Sequence, residues 1–227
     1  MYSASFSEAS WSEIDKISTS NLAKHYFSVG DCKNITCQDN DTLTVEIIGF
    51  DHDDLASGGK VGITIGTKNL YRGIYQFNKF NGSSNNYEES SINDELNTDF
   101  YNSFDADLKS AIKLVKKKTG IETNGSQIKE LQVKLFSFSE VEVTGSNIYS
   151  PSGEGTQYSR FTTTSSRQKR IQNQDGSVTA QNPQEWWLRS PRENTNNSVV
   201  IIGENGSSKT SIVGNGIYSY ICFGFCV

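Results

Sequence analysis

Apolar and polar residues alternate along several short stretches of the chain, which is the pattern of β-strands with one buried face. Residues 35–37 and 42–50 are separated by a short polar turn and predict a hairpin. Residues 139–143 are expected to continue the strand before them or to pair with it. The other segments predicted as strands are residues 61–65, 133–138, 198–202, 211–213 and 218–227.

Helical spacing appears at three places. Ser10 and Glu13 form a capping-box pattern that predicts a short helix over residues 11–17. Ser91 is expected to cap a second helix, with Leu96, Phe100 and Phe104 facing inward. The third helix is predicted from Ala106 to Lys118, capped by Asp105 and stopped by Gly120, with Leu108, Ala111, Ile112 and Val115 as its core face and Lys109, Lys113 and Lys117 as a solvated stripe.

Residues 186–191 read Trp-Trp-Leu-Arg-Ser-Pro, hereafter the WWLRSP strand. An indole buries roughly 150–250 Å² of surface. Neighbouring side chains of a strand point to opposite faces, so Trp186 and Trp187 require either cover on both faces or an irregular layer over one of them. Pro191 suits a strand end. Arg189 is expected to be structural and to hold a loop carbonyl or a carboxylate.

The segments that follow this strand are polar and rich in turn-forming residues, especially 192–198 and 204–210. They predict display loops at about 192–220 on a rigid aromatic floor. Tyr offers contact area at low entropic cost, and Ser and Asn offer adaptable hydrogen bonds. The candidate ligand-binding residues are Arg192, Asn194, Asn196, Asn197, Asn205, Ser207, Tyr218 and Tyr220.

The composition is that of a folded protein and argues against several classes, namely disordered chains, general nucleic-acid binders and membrane-spanning proteins. The 227 residues fit a single domain over 1–227, and 11% aromatic content is unlike a disordered chain. A net charge of −5 argues against a general nucleic-acid binder. No apolar run approaches the roughly 20 residues of a membrane span, so we expect no membrane insertion. The first residues also lack the basic and apolar regions of a signal peptide.

Motifs for catalysis and for metal binding are sparse. No nucleophile elbow, phosphate loop, dinucleotide fingerprint or zinc-protease motif is found, and with two histidines the chain is expected not to be an enzyme and to need no cofactor. Residues 51–54 suggest a calcium loop or, alternatively, a solvated turn. We expect no metal there. The spacing of Cys32, Cys37, Cys222 and Cys226 is unlike a zinc site and favours free buried thiols.

Several blocks together resemble an uncharacterised domain family of Gram-positive gut bacteria and their phages that is marked by the WWLRSP block. These blocks are residues 26–31, 47–55, 135–143, 153–158, 186–191 and 223–227. The layout also resembles the C-type lectin-like fold. That resemblance implies an α+β domain of mixed, mostly antiparallel strands with two to three helices and long polar loops, whose late loops form the ligand face.

The resemblance implies a ligand- or receptor-binding display domain of a phage tail or a bacterial surface, located on a virion or an extracellular surface. Its partner would be a bacterial surface protein or glycan, and assembly into a homo-oligomer or a larger fibre stays open. Some such domains are diversified by retroelements that rewrite adenines late in the gene. One alternative is a structural virion or surface protein without a specific ligand. Another alternative is an enzyme similar to formylglycine-generating enzymes, in which Cys222 and Cys226 would bind a copper ion.

Overall fold

The computed structural model describes residues 5–37, 40–79, 84–121, 127–214 and 216–227. The fold is α+β, with three mostly antiparallel sheets and short helices. The strands are β1 (Cys32–Cys37), β2 (Asp41–Phe50), β3 (Asp54–Leu55), β4 (Ile63–Thr67), β5 (Val115–Gly120), β6 (Ile128–Val133), β7 (Leu135–Ser137), β8 (Trp186–Pro191), β9 (Ser198–Ile202), β10 (Ser208–Ile212), β11 (Tyr220–Ile221) and β12 (Phe223–Cys226).

The helices are short and lie between the strands. They are α1 (Trp11–Thr19), α2 (Ala23–Tyr26), α3 (Ser91–Glu95), α4 (Tyr101–Ser103), α5 (Ala106–Ala111), α6 (Glu140–Thr144) and α7 (Thr164–Arg167). A π-helical turn (Leu96–Phe100) joins α3 to α4, and a 3-10 turn (Ser159–Phe161) precedes α7.

The largest sheet has the strand order β1-β2-β4-β12-β7, and every neighbouring pair in it is antiparallel. Gly66 and Gly224 face each other across its centre. A Cβ on Gly224 would lie 2.8 Å from the Phe136 ring and 2.9 Å from the Phe138 ring. The aromatic layer therefore packs directly on the backbone of β12.

The second sheet has the order β10-β9-β8-β11, in which only the β8–β11 pair is parallel. All residues of β8 and β9 are buried, whereas β10 is a polar strand with exposed positions at one edge. The third sheet has the order β3-β5-β6 and supplies the strand that carries Lys117. The second and third sheets meet where β8, the WWLRSP strand, contacts β5.

Several predicted elements are confirmed. The α1 helix has the predicted capping box, since the Ser10 side chain accepts from the Glu13 N–H and the Glu13 carboxylate accepts from the Ser10 N–H. The β1–β2 hairpin is present. Strand β9 has the predicted bounds. At the second predicted helix, however, Ser90 is the cap and Ser91 is the first helical residue; Leu96, Phe100 and Phe104 are buried as expected.

The predicted long helix from Ala106 to Lys118 is wrong in its second half. Asp105 precedes α5 but makes no side-chain capping bond, and the helix ends at Ala111. Residues 115–120 form β5, with Val115, Lys117 and Thr119 facing inward. Gly120 is therefore part of a strand rather than a helix stop. A strand with these inward residues can pair with the whole of β6 and bury the Lys117 ammonium among carboxylates, which outweighs the helical spacing.

The predicted strand over residues 139–143 is also wrong. Ser139 caps helix α6 by accepting from the Glu142 N–H, and Glu142 accepts from the Ser139 N–H. Gly145 ends this helix with φ +78°. The capping box therefore overrides the alternation of Val141 and Val143. Four other predicted strands have different bounds in the structure. The segment 61–65 lies two residues later as β4, 133–138 divides between β6 and β7, 211–213 overlaps only the end of β10, and 218–227 divides at Cys222 between β11 and β12.

Candidate functional site

The two tryptophans of the WWLRSP strand are buried on opposite faces of the strand. The Trp186 ring meets Phe138 edge-on at 6.3 Å, and its Nε1 donates to the Arg167 carbonyl at 3.2 Å. The Trp187 ring meets Phe77 at 5.8 Å, and its Nε1 donates to the Tyr75 carbonyl at 2.8 Å. Both indole N–H groups are satisfied, so the strand is covered on both sides, which is one of the two arrangements that the sequence left open.

Arg189, on the same strand, has a side chain that is fully buried in the protein interior. Its guanidinium binds the Glu142 carboxylate through two hydrogen bonds of 2.6 and 2.9 Å. It also donates to the backbone carbonyls of Lys118, Ser137 and Glu154. Arg189 therefore contacts both kinds of acceptor that the sequence analysis expected, a carboxylate and carbonyls, and it joins β5, β7 and α6 to β8.

Lys117 forms the second half of this buried charge cluster. Its ammonium lies 2.7 Å from Asp53 Oδ1 and 2.5 Å from Glu142 Oε1, and it donates to the Tyr158 hydroxyl at 2.9 Å. The ammonium also lies over the Phe136 ring, 4.2 Å from its centroid. Burial alone would raise the pKa of Asp53, but the Lys117 charge and its hydrogen bond outweigh burial and hold that pKa well below its usual range.

Glu142 bridges the two cations of the cluster. Burial would raise its pKa, but the charges of Arg189 and Lys117 lower it below the usual value. Asp53 receives further hydrogen bonds from Thr64 at 2.7 Å and from Tyr158 at 2.9 and 3.0 Å. Both carboxylates are therefore ionised and fully paired at neutral pH, and they fix the relative positions of β4, β5 and α6.

Glu154 is the third carboxyl group of the cluster and behaves differently. It accepts from the Gly120 N–H at 2.8 Å and is hydrogen bonded to the Ser190 hydroxyl. Burial raises its pKa from 4.5 to about 7, in spite of the opposing charge of Arg189. Two cations and three carboxyl groups thus share the cluster, and its charge balances when Glu154 is protonated.

Sequence reasoning missed four of the five charged members of this cluster. Lys117 was predicted on a solvated helix stripe, Glu142 in a strand, and Asp53 in a calcium loop or a solvated turn, while Glu154 was noted only as part of the 153–158 block. The Ser139–Glu142 capping box was a usable signal for the backbone around Glu142. The contacts themselves join residues that are 25 to 64 positions apart along the chain, and no local pattern predicts such pairs.

Residues 192–197 follow the WWLRSP strand and form a loop whose backbone is hydrogen bonded to Asn85. The Asn85 Nδ2 donates to the Thr195 and Ser198 carbonyls, each at 2.9 Å, and its backbone N–H donates to the Asn196 carbonyl at 3.0 Å. Asn85 itself is fully buried. Asn194 adopts φ +60°, a conformation that asparagine tolerates. The loop backbone is therefore held in one conformation.

The predicted ligand-binding residues do not form one surface. Arg192, Asn194, Asn196 and Asn197 are exposed on the loop before β9. Asn205 and Ser207 are exposed in the turn after β9, where the Asn205 side chain accepts from the Ser207 N–H. The five residues of β9 separate the two groups by about 15 Å.

The two predicted tyrosines lie on the side of the later turn. Tyr220 is half-buried and pairs with Trp186 in the parallel β8–β11 ladder. Tyr218 is 52% exposed and its hydroxyl accepts from Gln76 at 2.7 Å. Since Trp186 pairs with Ile202 at the far end of β9, Tyr220 lies near the turn with Asn205 rather than near Asn196.

An open cleft of about 270 Å³ lies over the buried charge cluster. Its floor includes Lys117 and Glu142, and its walls come from the segment after β2, from β5 and β6, and from residues 153–156. His52 lines it too, and its ring packs on Tyr158 with 4.0 Å between centroids. Burial lowers the pKa of His52, so this imidazole is neutral at neutral pH.

Two metal sites were considered from the sequence, a calcium loop at residues 51–54 and a copper site at Cys222 and Cys226. All four cysteines are free, and Cys37, Cys222 and Cys226 are buried while Cys32 is half-buried. Cys222 contacts Thr67 and Cys226 contacts Thr64 and Asp53, so the two late thiols have different surroundings. Within the described ranges, no group of three or more His, Cys, Asp or Glu side chains is arranged to hold a metal ion.

The comparisons with known proteins give one finding about family. Residues 62–220 match the family model described as Domain of unknown function (DUF6273). That segment contains Lys117, Glu142, Glu154 and the WWLRSP strand, while Asp53 precedes it. Searches of the curated proteins and of the solved structures found no match. In the part of the chain that the structure describes, no helix is long and apolar enough to cross a membrane.

Proposed function

Because the chain belongs to the DUF6273 family, whose description states no activity, we propose from the site that it is a recognition domain of the C-type lectin-like kind. In this proposal the loop at residues 192–197 contacts the ligand. The ligand is a protein or glycan on a bacterial surface, and the domain belongs to a virion or an extracellular surface. The α+β architecture and the buried β8–β9 pair beneath the loop support this assignment.

The observation that carries the proposal is the combination of a fixed backbone with free side chains. Asn85 immobilises the loop through three hydrogen bonds. The side chains of Arg192, Asn194 and Asn196 are exposed, and none of them is hydrogen bonded to another described residue. A surface of this kind gives up little conformational entropy of the backbone when it binds, which raises affinity.

The same arrangement tolerates replacement of the exposed residues. Arg192 and Asn196, whose exposed side chains are not hydrogen bonded to another described residue, can change with effects on stability within about 0.5 kcal/mol, whereas position 194 needs a residue that tolerates φ +60°. Such a frame suits the retroelement diversification that the sequence resemblance implied. The diversified positions would then be the exposed ones of the loop, while β9 would stay constant.

The test compares two sets of variants on the same cells. The fluorescently labelled protein is titrated onto intact Gram-positive bacteria and onto a glycan array. The triple variant Arg192→Ala, Asn194→Gly, Asn196→Ala, in which glycine keeps the φ of +60° at position 194, is expected to lose binding at least about tenfold. The double variant Asn205→Ala, Ser207→Ala is the control, because it changes two residues that are also exposed but lie at the other end of β9. It is expected to bind as well as the unaltered protein. Retained binding in the triple variant, or equal loss in both, contradicts the proposal.

A further inference from the structure

The cleft over the buried charge cluster carries more positive than negative charge at its rim. Three exposed or half-exposed lysines line it, Lys60, Lys116 and Lys118. Lys60 pairs with Asp54 at 2.8 Å, and Lys116 lies 3.4 Å from Glu130. Among the described residues Lys118 has no ion-pair partner. The rim therefore has three ammonium groups against two carboxylates, since Glu130, the direct cross-strand partner of Lys118, is also the partner of Lys116.

The carboxylates in the floor do not cancel this excess. Asp53 and Glu142 are neutralised by Lys117 and Arg189 at hydrogen-bonding distance. Glu154 also lines the cleft, and its carboxyl group is hydrogen bonded to the Gly120 N–H and the Ser190 hydroxyl. A bound anion would thus interact mainly with the rim lysines, because the carboxylates of Asp53 and Glu142 beneath it are already paired with cations.

Residues 153–156 supply donors at the other wall. Gly153 has φ +104° and Gly155 has φ +139°, so the loop turns in a conformation reserved for glycine. The backbone N–H groups of Gly155 and Thr156 are not bonded to any described residue, and Thr156 is exposed. Successive unpaired N–H groups in such a loop form a concavity that suits an oxyanion.

Gly155 also keeps the cleft open. A Cβ at this position would lie 3.1 Å from Glu142 Oε1, directly over the floor. The absence of that side chain leaves a volume of about 270 Å³, the size of a small molecule rather than of a peptide. This volume is separate from the 192–197 loop, none of whose residues line it.

The geometry points to a second binding site, in which a small organic anion places a carboxylate or phosphate group between Lys118, Lys116 and the loop at Gly155 and Thr156. The ammonium groups supply charge and the loop supplies N–H and O–H donors. This site does not depend on the proposed recognition loop, so either assignment can fail without the other.

The test is an NMR titration of the ¹⁵N-labelled protein with inorganic phosphate and, separately, with succinate, in low-salt buffer at constant ionic strength. We expect saturable shifts at the amides of Lys116, Lys118, Gly155 and Thr156, with a Kd of about 1 mM or below for at least one probe. Lys118→Gln should weaken that binding about fivefold, the effect of one ammonium near an anion in water.

Thr156→Val serves as a second variant, because it removes a donor from an exposed residue and leaves the charge unchanged. Lys209→Gln is the matched control, since Lys209 is an exposed lysine outside the cleft that pairs with Glu185. It should leave the affinity unchanged. The inference is overturned if neither probe causes saturable shifts at the cleft, if Lys118→Gln binds as well as the unaltered protein, or if Lys209→Gln weakens binding equally.

Discussion

Arg189 and Glu142 form a two-point ion pair in which both side chains are buried, with N–O distances of 2.6 and 2.9 Å. The pair connects the WWLRSP strand to helix α6. Because both side chains are buried, loss of one partner would leave one uncompensated charge in the interior cluster. The pair therefore fixes the strand from which the 192–197 loop starts.

Removing either partner should destabilise the protein strongly. Arg189→Met and Glu142→Met are each expected to lower the free energy of unfolding by about 3–5 kcal/mol, because each leaves the buried cluster with one uncompensated charge. The double variant should cost less than the sum of the two, and urea denaturation measures all three. Strictly additive effects would show that the two side chains do not depend on each other.

The buried carboxyl group of Glu154 should make stability depend on pH. Its pKa in the folded protein is raised from 4.5 to about 7, so the folded state holds this proton more tightly than the unfolded state. The resulting stabilisation is fully present below pH 4.5 and is lost as the pH rises through about 7. It amounts to roughly 3 kcal/mol.

Glu154→Gln isolates this effect, since the amide has a similar shape and does not titrate. Relative to that variant, the unaltered protein should lose stability between pH 4.5 and pH 8 in urea titrations. The depressed pKa values of Asp53 and Glu142 act in both proteins and cancel in the comparison. Parallel stability curves for the two proteins would be inconsistent with a raised pKa at Glu154.

Gly224 should not accept a side chain. A Cβ there would lie within 2.9 Å of two aromatic rings, Phe136 and Phe138, both of which are fully buried. Gly224→Ala is expected to cost about 1–3 kcal/mol in thermal or urea unfolding. Gly203→Ala is the control, because the nearest atoms to its Cβ belong to the flexible side chains of Asn205 and Lys209. Equal stability of the two variants would refute the tight packing at β12.

The DNA around the gene offers a test of diversification. If the loop is rewritten by a retroelement, a non-coding near-copy of the segment for residues 186–227 should lie beside a reverse transcriptase gene. The differences should occur at adenines and fall in codons of exposed positions such as Asn194 and Asn196. The codons of β9, which is entirely buried, should be identical. Differences that fall equally in the codons of β9 would speak against a diversified display loop.

Sequence reasoning succeeded where a local pattern decides the structure. The capping box at Ser10 and Glu13 defined α1, and alternation defined the β1–β2 hairpin. The adjacent tryptophans limited the packing of their strand to two arrangements, of which the structure has the one with cover on both faces. The acceptors expected for Arg189 also follow from a local argument, since a guanidinium beside two buried indoles must find partners there.

The failures have a common physical cause. Lys117 lies at helical spacing from Lys113, and only the pairing of β5 with β6 and the distant carboxylates of Asp53 and Glu142 turn it inward. The late loops were expected to form one ligand face because the layout resembles the C-type lectin-like fold. Strand β9 carries Asn196 and Asn205 to opposite ends, which depends on the sheet and not on the local sequence.

The most direct test of the central claim, that a fixed loop recognises the ligand, is the effect of Asn85→Ala on binding. This change removes the two side-chain bonds that hold the Thr195 and Ser198 carbonyls and leaves every exposed side chain of the loop in place. Hydrogen exchange of the loop amides should accelerate, and affinity for the bound cells or glycan should fall at least about tenfold. Unchanged affinity with a loosened loop would contradict the account.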